Sequence, residues 1–205
     1  HPAGKLRVIH NGLQATEHGT AVSKSEAKSR AGLNPDELHI GYFGRLTLVT
    51  GLYDLAQSME HVCKRHDNVH FLIVGEGPLR GGLEERTKCL VADQRVSFLG
   101  FREDVESLLH AVDVVVLSSL HEGAPMILLE SMRAGVPVVA TNVGGISEMI
   151  IDGENGWLVP RRDPAAFSDK LSSLLNSRER RKAMGRAGKA MVKGRFDVAT
   201  MARRY

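Results

Sequence analysis

The chain has 205 residues, of which 42% are hydrophobic, and it carries a formal net charge of +3 with a pI near 9.0. This length is enough for one α/β domain with a sizeable core, and no apolar run approaches the ~20 residues that a membrane span needs. Lysines and arginines are scattered, with the densest run at residues 178–182, whereas nucleic-acid-binding proteins collect them in a more one-sided stripe, so we expect no nucleic-acid partner. The mild basic excess suits an anionic small ligand or an anionic membrane surface.

Hydrophobic patterns along the chain predict strands that alternate with helices. Strands are expected, in chain order, at residues 6–9, 38–43, 69–74, 96–99, 114–117, 136–140 and 156–159. Helices are expected at residues 23–31, 51–63, 79–92, 102–111 and 145–150, from about Pro125 to Gly135, at 163–175 with Asp163 as the cap, at 177–193 with Ser177 at the start, and from 196 onward. Such alternation predicts an α/β fold with a doubly wound, Rossmann-like parallel sheet, in which ligands bind outside the carboxyl ends of the strands.

The two cysteines and the nearby histidines give no sign of a disulfide or a metal. Cys63 and Cys89 both lie in helix-like segments, and two such cysteines predict reduced thiols in a cytosolic protein. His61, Cys63, His66 and His70 do not have the spacing of a zinc module, so we expect solvated surface residues. No Asp-x-Asp pair occurs that could cradle a diphosphate-bound magnesium ion.

Residues 118–156 contain the closest grouping of residues that could form a functional site. Glu122 opens a loop, Pro125 suits a helix start, Glu130 lies about two turns into the helix, and Gly135 suits its left-handed end. Backbone N–H groups at the helix start attract phosphates and other electron-rich oxygens. The segment therefore predicts a binding site at the carboxyl edge of the sheet.

The motif Glu-Gly-x-Pro-x-x-x-x-Glu (122–130), followed by Ala-Gly-x-Pro-Val-Val-Ala-Thr (134–141) and Val-Gly-Gly (143–145), resembles the family 4 retaining glycosyltransferases of GT-B fold. Val-Ile-x-Asn-Gly (8–12) is similar to the entry into the C-terminal domain of that family. The resemblance implies that residues 1–205 form a C-terminal donor-binding domain, and that the N-terminal acceptor domain is absent from this chain.

The resemblance also implies roles for the two glutamates. Glu130 would accept hydrogen bonds from the ribose hydroxyls of a nucleotide-diphosphate sugar, although an exposed helix glutamate would look the same in sequence. Glu122 would contact hydroxyls of the donor sugar, or it would only be a carboxylate near the helix start that the helix dipole stabilises. Backbone groups of the segment after Glu122 would contact the sugar or the diphosphate; this segment comprises Gly123, Ala124, Pro125, Met126 and Ile127.

A second motif, Gly44-Arg45-Leu46 with Gly51, follows a predicted strand. In the family an arginine here grips the diphosphate, and a lysine five residues later assists it. This chain has Thr50 at the lysine position, and threonine offers only a neutral hydrogen bond. Three explanations are open: another cation substitutes, the protein is slow or degenerate, or the chain carries a substitution.

Weaker matches lie at two further loops. Gly75-Glu76-Gly77-Pro78 resembles the Gly-x-Gly-Pro loop that borders the nucleotide, although a simple turn also explains it. Phe101 and Arg102 match the loop that borders the base, where Arg102 would either stack on the base or cap the following helix. Gly144, Gly145 and Glu148 are expected to shape a turn and to cap a helix.

The resemblance at these residues implies the donor half of a retaining, metal-independent hexosyltransferase of polysaccharide or glycoconjugate biosynthesis, with Glu122 and Arg45 in catalytic roles and no cofactor. We expect a cytoplasmic protein, at the inner membrane face if the full-length protein associates peripherally with a bilayer, and no transfer by this chain alone. One alternative is a degenerate, non-catalytic sugar-nucleotide binder. Others are a dinucleotide-binding oxidoreductase domain, whose third fingerprint glycine is missing after Gly77, and a hydrolysing sugar-nucleotide epimerase.

Overall fold

A computed structural model of the chain describes residues 12–13, 23–196, 198 and 202. Within these residues, six parallel strands form one sheet in the order β3-β2-β1-β4-β5-β6. The strands are β1 (Leu38–Phe43), β2 (Val69–Val74), β3 (Val96–Gly100), β4 (Val114–Leu117), β5 (Val138–Thr141) and β6 (Trp157–Val159). The order runs outward in both directions from β1 and β4, which confirms the doubly wound α/β prediction.

Helices cover both faces of this sheet. They are α1 (Lys24–Arg30), α2 (Leu52–Cys63), α3 (Arg80–Arg86), α4 (Lys88–Ala92), α5 (Val105–Ala111), α6 (Met126–Arg133), α7 (Ile146–Met149), α8 (Pro164–Leu175) and α9 (Arg178–Arg195). One hydrophobic core packs α2, α3 and α8 against the sheet, and the other packs α5, α6, α7 and the end of α9. Strands buried on both faces explain the continuous apolar runs in the sequence.

Three helices begin at a side-chain cap, of which the one at Asp163 was predicted. The Ser23 hydroxyl accepts from Glu26 N–H, the Asp163 carboxylate accepts from Ala166 N–H at 2.9 Å, and the Ser177 hydroxyl accepts from Arg180 N–H at 3.2 Å. Gly135 has φ = 74° directly after the C-cap of α6, as predicted for a left-handed helix end.

Three predicted boundaries differ from the structure. The single helix expected at 79–92 is two helices that meet at Thr87, whose φ of −106° and ψ of 13° depart from helical values. Strand β5 begins at Val138 rather than at 136, since Pro137 has no N–H to donate. Helix α5 begins at Val105, because Arg102 pairs with Asp104 before it.

The predicted strand at 6–9 lies outside the described residues, as does most of the helix expected from 196 onward. Both thiols are free, but Cys63 is buried, so the prediction that it lies on the solvated surface is wrong. No described helix has the length and apolar character needed to cross a bilayer.

Candidate functional site

The candidate site lies where β1 and β4 stand side by side and their following loops diverge. The chain leaving β1 turns to α2 on one face, and the chain leaving β4 turns to α6 on the other. In doubly wound sheets this divergence opens a crevice at the carboxyl edge, which is the usual ligand site. The loops concerned comprise residues 44–51 after β1 and 118–125 after β4.

Glycines allow neighbouring loops at this edge to touch through their backbones. A Cβ on Gly144 would lie 1.7 Å from the Glu122 carbonyl oxygen, and Gly144 has φ = 53°. A Cβ on Gly51 would lie 2.1 Å from the Ser118 carbonyl oxygen. Real side chains cannot occupy either position, so glycine is required at both. The predicted turn at Gly144 therefore also fixes the position of the Glu122 backbone.

Glu122 is half-buried at the mouth of the crevice, and its own loop holds its carboxylate. The Ser119 hydroxyl donates to Oε2 at 3.2 Å, and the Gly123 N–H donates to Oε1 at 3.1 Å. The Gly123 carbonyl oxygen accepts from Gly145 N–H at 2.9 Å. The Gly123 N–H expected to face a ligand is thus already used within the loop, whereas the carboxylate keeps further acceptor capacity.

Glu130 is the fifth residue of α6 and lies little more than one turn from its start, not two turns as the sequence suggested. Its side chain is half-buried, which argues against a freely exposed helix glutamate. Burial raises the pKa of its carboxyl, with Glu106 adding to the shift and Arg133 opposing it. No described residue donates a hydrogen bond to this carboxylate, so its acceptor sites are open to a ligand.

The start of α6 is not capped by a side chain. Pro125 is the N-cap with φ = −67° and ψ = 122°, just outside the first turn in which we expected it. Met126 and Ile127 supply the first helical N–H groups, which have no acceptor inside the helix. These groups, rather than the Gly123 N–H, are the backbone donors that this end offers.

The Arg45 side chain is exposed, and no described residue pairs with its guanidinium. The loop around it is tied down by its own hydroxyls. Tyr42 Oη donates to the Arg45 carbonyl oxygen at 2.9 Å, and Thr50 Oγ1 donates to the Thr47 carbonyl oxygen at 2.7 Å. Thr47 N–H in turn donates to Thr50 Oγ1 at 3.4 Å. The Thr50 hydroxyl is therefore hydrogen-bonded within the loop, whereas the Arg45 guanidinium is free to bind an anionic ligand.

Two nearby residues were missed by sequence reasoning. The first is Tyr42, whose pKa is raised to about 12 because the side chain is buried. A hydrogen bond with Thr50 opposes this shift, and the negative charge of Glu122 adds to it. Arg161 follows β6, is exposed, and donates from Nη1 to the Leu120 carbonyl oxygen at 3.4 Å, while Leu120 N–H donates to the Val49 carbonyl oxygen at 2.7 Å. Arg161 thus adds a second cation beside the joined loops, about forty residues from the motif it approaches.

The loops after β2 and β3 form the far end of the crevice. A Cβ on Gly75 would lie 2.0 Å from the Gly44 carbonyl oxygen, so this loop packs against the Arg45 loop. Phe101 is 74% exposed, which leaves its ring free for contact. Arg102 donates twice to Asp104, from Nε and Nη2, at 2.7 Å each. Its contact with a base remains a prediction.

The described residues contain no group of three or more His, Cys, Asp or Glu side chains placed to hold a metal ion. The site as described consists of two carboxylates, two cations and backbone N–H donors. Carboxylates bind hydroxyl groups, and guanidinium groups bind phosphate oxygens. The arrangement is complementary to a polyhydroxylated phosphate ester.

Comparison with protein families gives a match to the glycosyl transferases group 1 over residues 23–191. An uncharacterized glycosyltransferase of Methanocaldococcus jannaschii is 36% identical over 166 residues, which is 78% of this chain and 42% of that protein. A D-inositol 3-phosphate glycosyltransferase of Corynebacterium urealyticum is 35% identical over 177 residues, or 81% of this chain and 41% of the relative. The chain spans about half the length of the curated relatives that it matches.

Solved structures give the same result. Anabaena HepE in complex with UDP and glucose superimposes with a TM-score of 0.84 at 26% identity, over 97% of this chain and 55% of HepE. The C-terminal domain of a group 1 family glycosyl transferase from Francisella tularensis gives a TM-score of 0.80 at 26% identity, over 87% of this chain and 95% of that domain.

Proposed function

Because this chain belongs to the glycosyl transferases group 1 family, we propose that the crevice beside β1 and β4 holds the donor of a glycosyl transfer, a nucleotide-diphosphate sugar. The observation that carries the proposal is the pairing of open carboxylates with unpaired cations at one sheet edge. Glu122 and Glu130 keep acceptor capacity there, while Arg45 has no carboxylate partner among the described residues. The HepE complex with UDP and glucose supports this ligand class.

Each part of the donor has a partner in this proposal. Glu130 accepts from the ribose hydroxyls, Glu122 accepts from hydroxyls of the sugar, and Arg45 grips the diphosphate. The Met126 and Ile127 N–H groups add donors toward the sugar or the diphosphate. Gly44, Gly75 and Phe101 border the nucleotide, and Arg102 lies beside the base.

We propose a retaining transfer, which the resemblance to retaining glycosyltransferases implies. Bond cleavage at the sugar has an oxocarbenium-like transition state, and the leaving diphosphate needs charge neutralisation rather than a proton. The cations supply that neutralisation, so we propose that no metal is needed. Arg161 serves as the second cation, since the Thr50 hydroxyl is bonded within its own loop. The competing proposal, a degenerate binder, predicts that Arg161 does not contact the diphosphate.

We propose that this chain is one domain of a longer enzyme. Relatives are about twice as long as the chain, and we propose that residues 1–205 are a donor domain that works with an N-terminal acceptor domain. The closure of two domains excludes water and completes the site. The isolated chain is then expected to bind donor but not to transfer a hexosyl group, and the full-length enzyme is expected in the cytoplasm.

The test is thermal stabilisation of the chain by UDP-, GDP- and ADP-sugars, each with and without EDTA. We expect one nucleotide series to raise the melting temperature with EDTA present, and Glu130→Gln to remove most of that rise. A rise that needs Mg2+ would contradict metal independence. If no nucleotide sugar stabilises the chain, the donor-binding proposal is wrong.

A further inference from the structure

The basic charge of the protein is concentrated on α9. This helix of 18 residues has eight lysines and arginines and one glutamate, a formal charge of +7. The whole chain carries only +3, so the remainder is net negative. The dense basic run expected at residues 178–182 is thus the first part of a helix that is basic over its whole length.

Five of these cations form a stripe along α9, which comprises Arg178, Lys182, Arg186, Lys189 and Lys193. All five are exposed. At 3.6 residues per turn they fall within an arc of about 80° and extend over about 22 Å of the helix. The buried residues Met184, Gly185, Gly188 and Val192 lie to one side of the stripe, centred about 110° from it around the helix.

The stripe differs from many of the other surface cations in having no carboxylate partners. No side chain of the five makes a hydrogen bond or an ion pair with a described residue. Elsewhere on the described surface, arginines and lysines commonly pair with carboxylates. The pairs are Arg30–Glu26, Arg65–Asp169, Arg80–Glu84, Arg86–Glu60, Lys88–Glu85, Arg102–Asp104 and Arg133–Glu106. The protein thus neutralises cations over much of its surface but not on this helix.

Helix α9 is fixed rigidly to the domain. A Cβ on Gly185 would lie 2.0 Å from the Gly135 carbonyl oxygen, so the helix backbone touches the end of α6. Arg181 donates to the Leu174 and Leu175 carbonyl oxygens at 2.6 and 2.8 Å. Both contacts lie at the ends of helices that return to the amino edge of the sheet. The start of the stripe therefore stands away from the candidate site at the carboxyl edge.

We propose that the α9 stripe docks the protein on an anionic phospholipid bilayer. Each lysine or arginine close to such a surface strengthens binding about five-fold, so five unpaired cations give substantial affinity. On its exposed side the stripe is bordered by the small residues Ala183, Ala190 and Gly194 and, in the first turn, by Glu179, the single acidic residue of the helix. Helix α9 has no aromatic residue to stack on nucleobases, which favours a bilayer over single-stranded nucleic acid. Docking by this face leaves the site at the carboxyl edge open to water.

The test is co-sedimentation of the 205-residue chain with phosphatidylcholine vesicles that contain either no phosphatidylglycerol or about 30 mol% of it. The test variant carries Lys182→Gln, Arg186→Gln, Lys189→Gln and Lys193→Gln. The control carries Arg30→Gln, Arg65→Gln, Arg86→Gln and Lys88→Gln, which removes the same charge elsewhere. We expect binding only to the anionic vesicles, at least a ~100-fold loss of partitioning in the test variant, and a loss several-fold smaller in the control.

Circular dichroism and melting curves first establish that both variants are folded. Equal losses in the two variants would show a net-charge effect and overturn the assignment to α9. The proposal also fails if the unmodified chain does not bind the anionic vesicles at low salt. Binding of a DNA duplex that depends on the stripe, without vesicle binding, would assign the surface to nucleic acid instead.

Discussion

Gly144 lies against Glu122 so closely that a Cβ on the glycine would stand 1.7 Å from the glutamate carbonyl oxygen. The contact joins the loop after β5 to the loop after β4, and the neighbouring hydrogen bond from Gly145 N–H to the Gly123 carbonyl oxygen reinforces it. The position of Glu122 is therefore set by a glycine more than twenty residues away in the sequence.

Gly144→Ala should destabilise the protein by at least ~2 kcal/mol, because the new methyl group clashes with backbone and φ is left-handed. It should also weaken binding of a nucleotide sugar more than binding of the free nucleotide diphosphate, since the Glu122 loop must shift. Urea denaturation and calorimetry measure the two effects. Gly81→Ala is the control: that glycine is in α3 with nothing within 4 Å of a Cβ, so the change should stabilise by about 0.5–1 kcal/mol.

Because the Glu130 carboxyl is half-buried, we expect the stability of the folded protein to depend on pH. Burial raises its pKa above the ordinary 4.5, so the native state binds this proton more tightly than the unfolded state does. The contribution of this carboxyl to the free energy of unfolding therefore falls as the pH rises through its raised pKa. Glu130→Gln, which cannot ionise, should make the ligand-free protein more stable than the unmodified protein at neutral pH. The difference should vanish below 4.5.

Melting curves over a pH series check this, with Glu154→Gln on the exposed surface as a control that should behave like the unmodified protein. A Glu130→Gln variant that is less stable at neutral pH would show that this carboxylate makes a stabilising contact within the protein. The description of Glu130 as an acceptor open to ligand would then be wrong.

We expect Arg161 to bind the diphosphate in place of the lysine that the family has at the position of Thr50. Arg161→Gln should weaken binding of a nucleoside diphosphate about ten-fold and leave the affinity for the nucleoside unchanged, because a charged hydrogen bond is worth about 1.5–3 kcal/mol. Arg45→Gln should act in the same way, whereas Arg162→Gln, at the exposed neighbouring position, should have little effect. If Arg161→Gln and Arg162→Gln behave alike, the degenerate-binder proposal gains support, and Thr50→Lys in a full-length protein should then raise activity.

Local sequence signals were sufficient for much of the fold. The bounds of β1, β2 and β4 agree with the apolar runs, and the caps at Asp163 and Ser177 were readable from residue type. These features depend on neighbouring residues only. The break at Thr87 was not predicted, since neither glycine nor proline marks it within an otherwise helical pattern.

The arrangement of the site depends on contacts between distant residues, which one sequence does not display. The motif identified Glu122, Glu130 and Arg45, and their roles remain predictions. Neither Arg161 nor the packing of Gly144 on Glu122 follows from spacing, because sheet order brings those loops together. The basic run at residues 178–182 was visible in the sequence, but the lack of carboxylate partners along one side of α9 was not, since the pairing of side chains depends on the tertiary structure.

The central claim is that Glu130 serves the ribose and Glu122 serves the sugar, and calorimetry of both Gln variants tests it directly. The ligands are the nucleoside diphosphate that stabilises the chain best and its sugar conjugate. Glu130→Gln should weaken both ligands by a similar factor, on the order of ten-fold, and Glu122→Gln should weaken the sugar conjugate much more than the free diphosphate. Unchanged affinity for the free diphosphate in Glu130→Gln, or equal losses of both ligands in Glu122→Gln, would contradict the account.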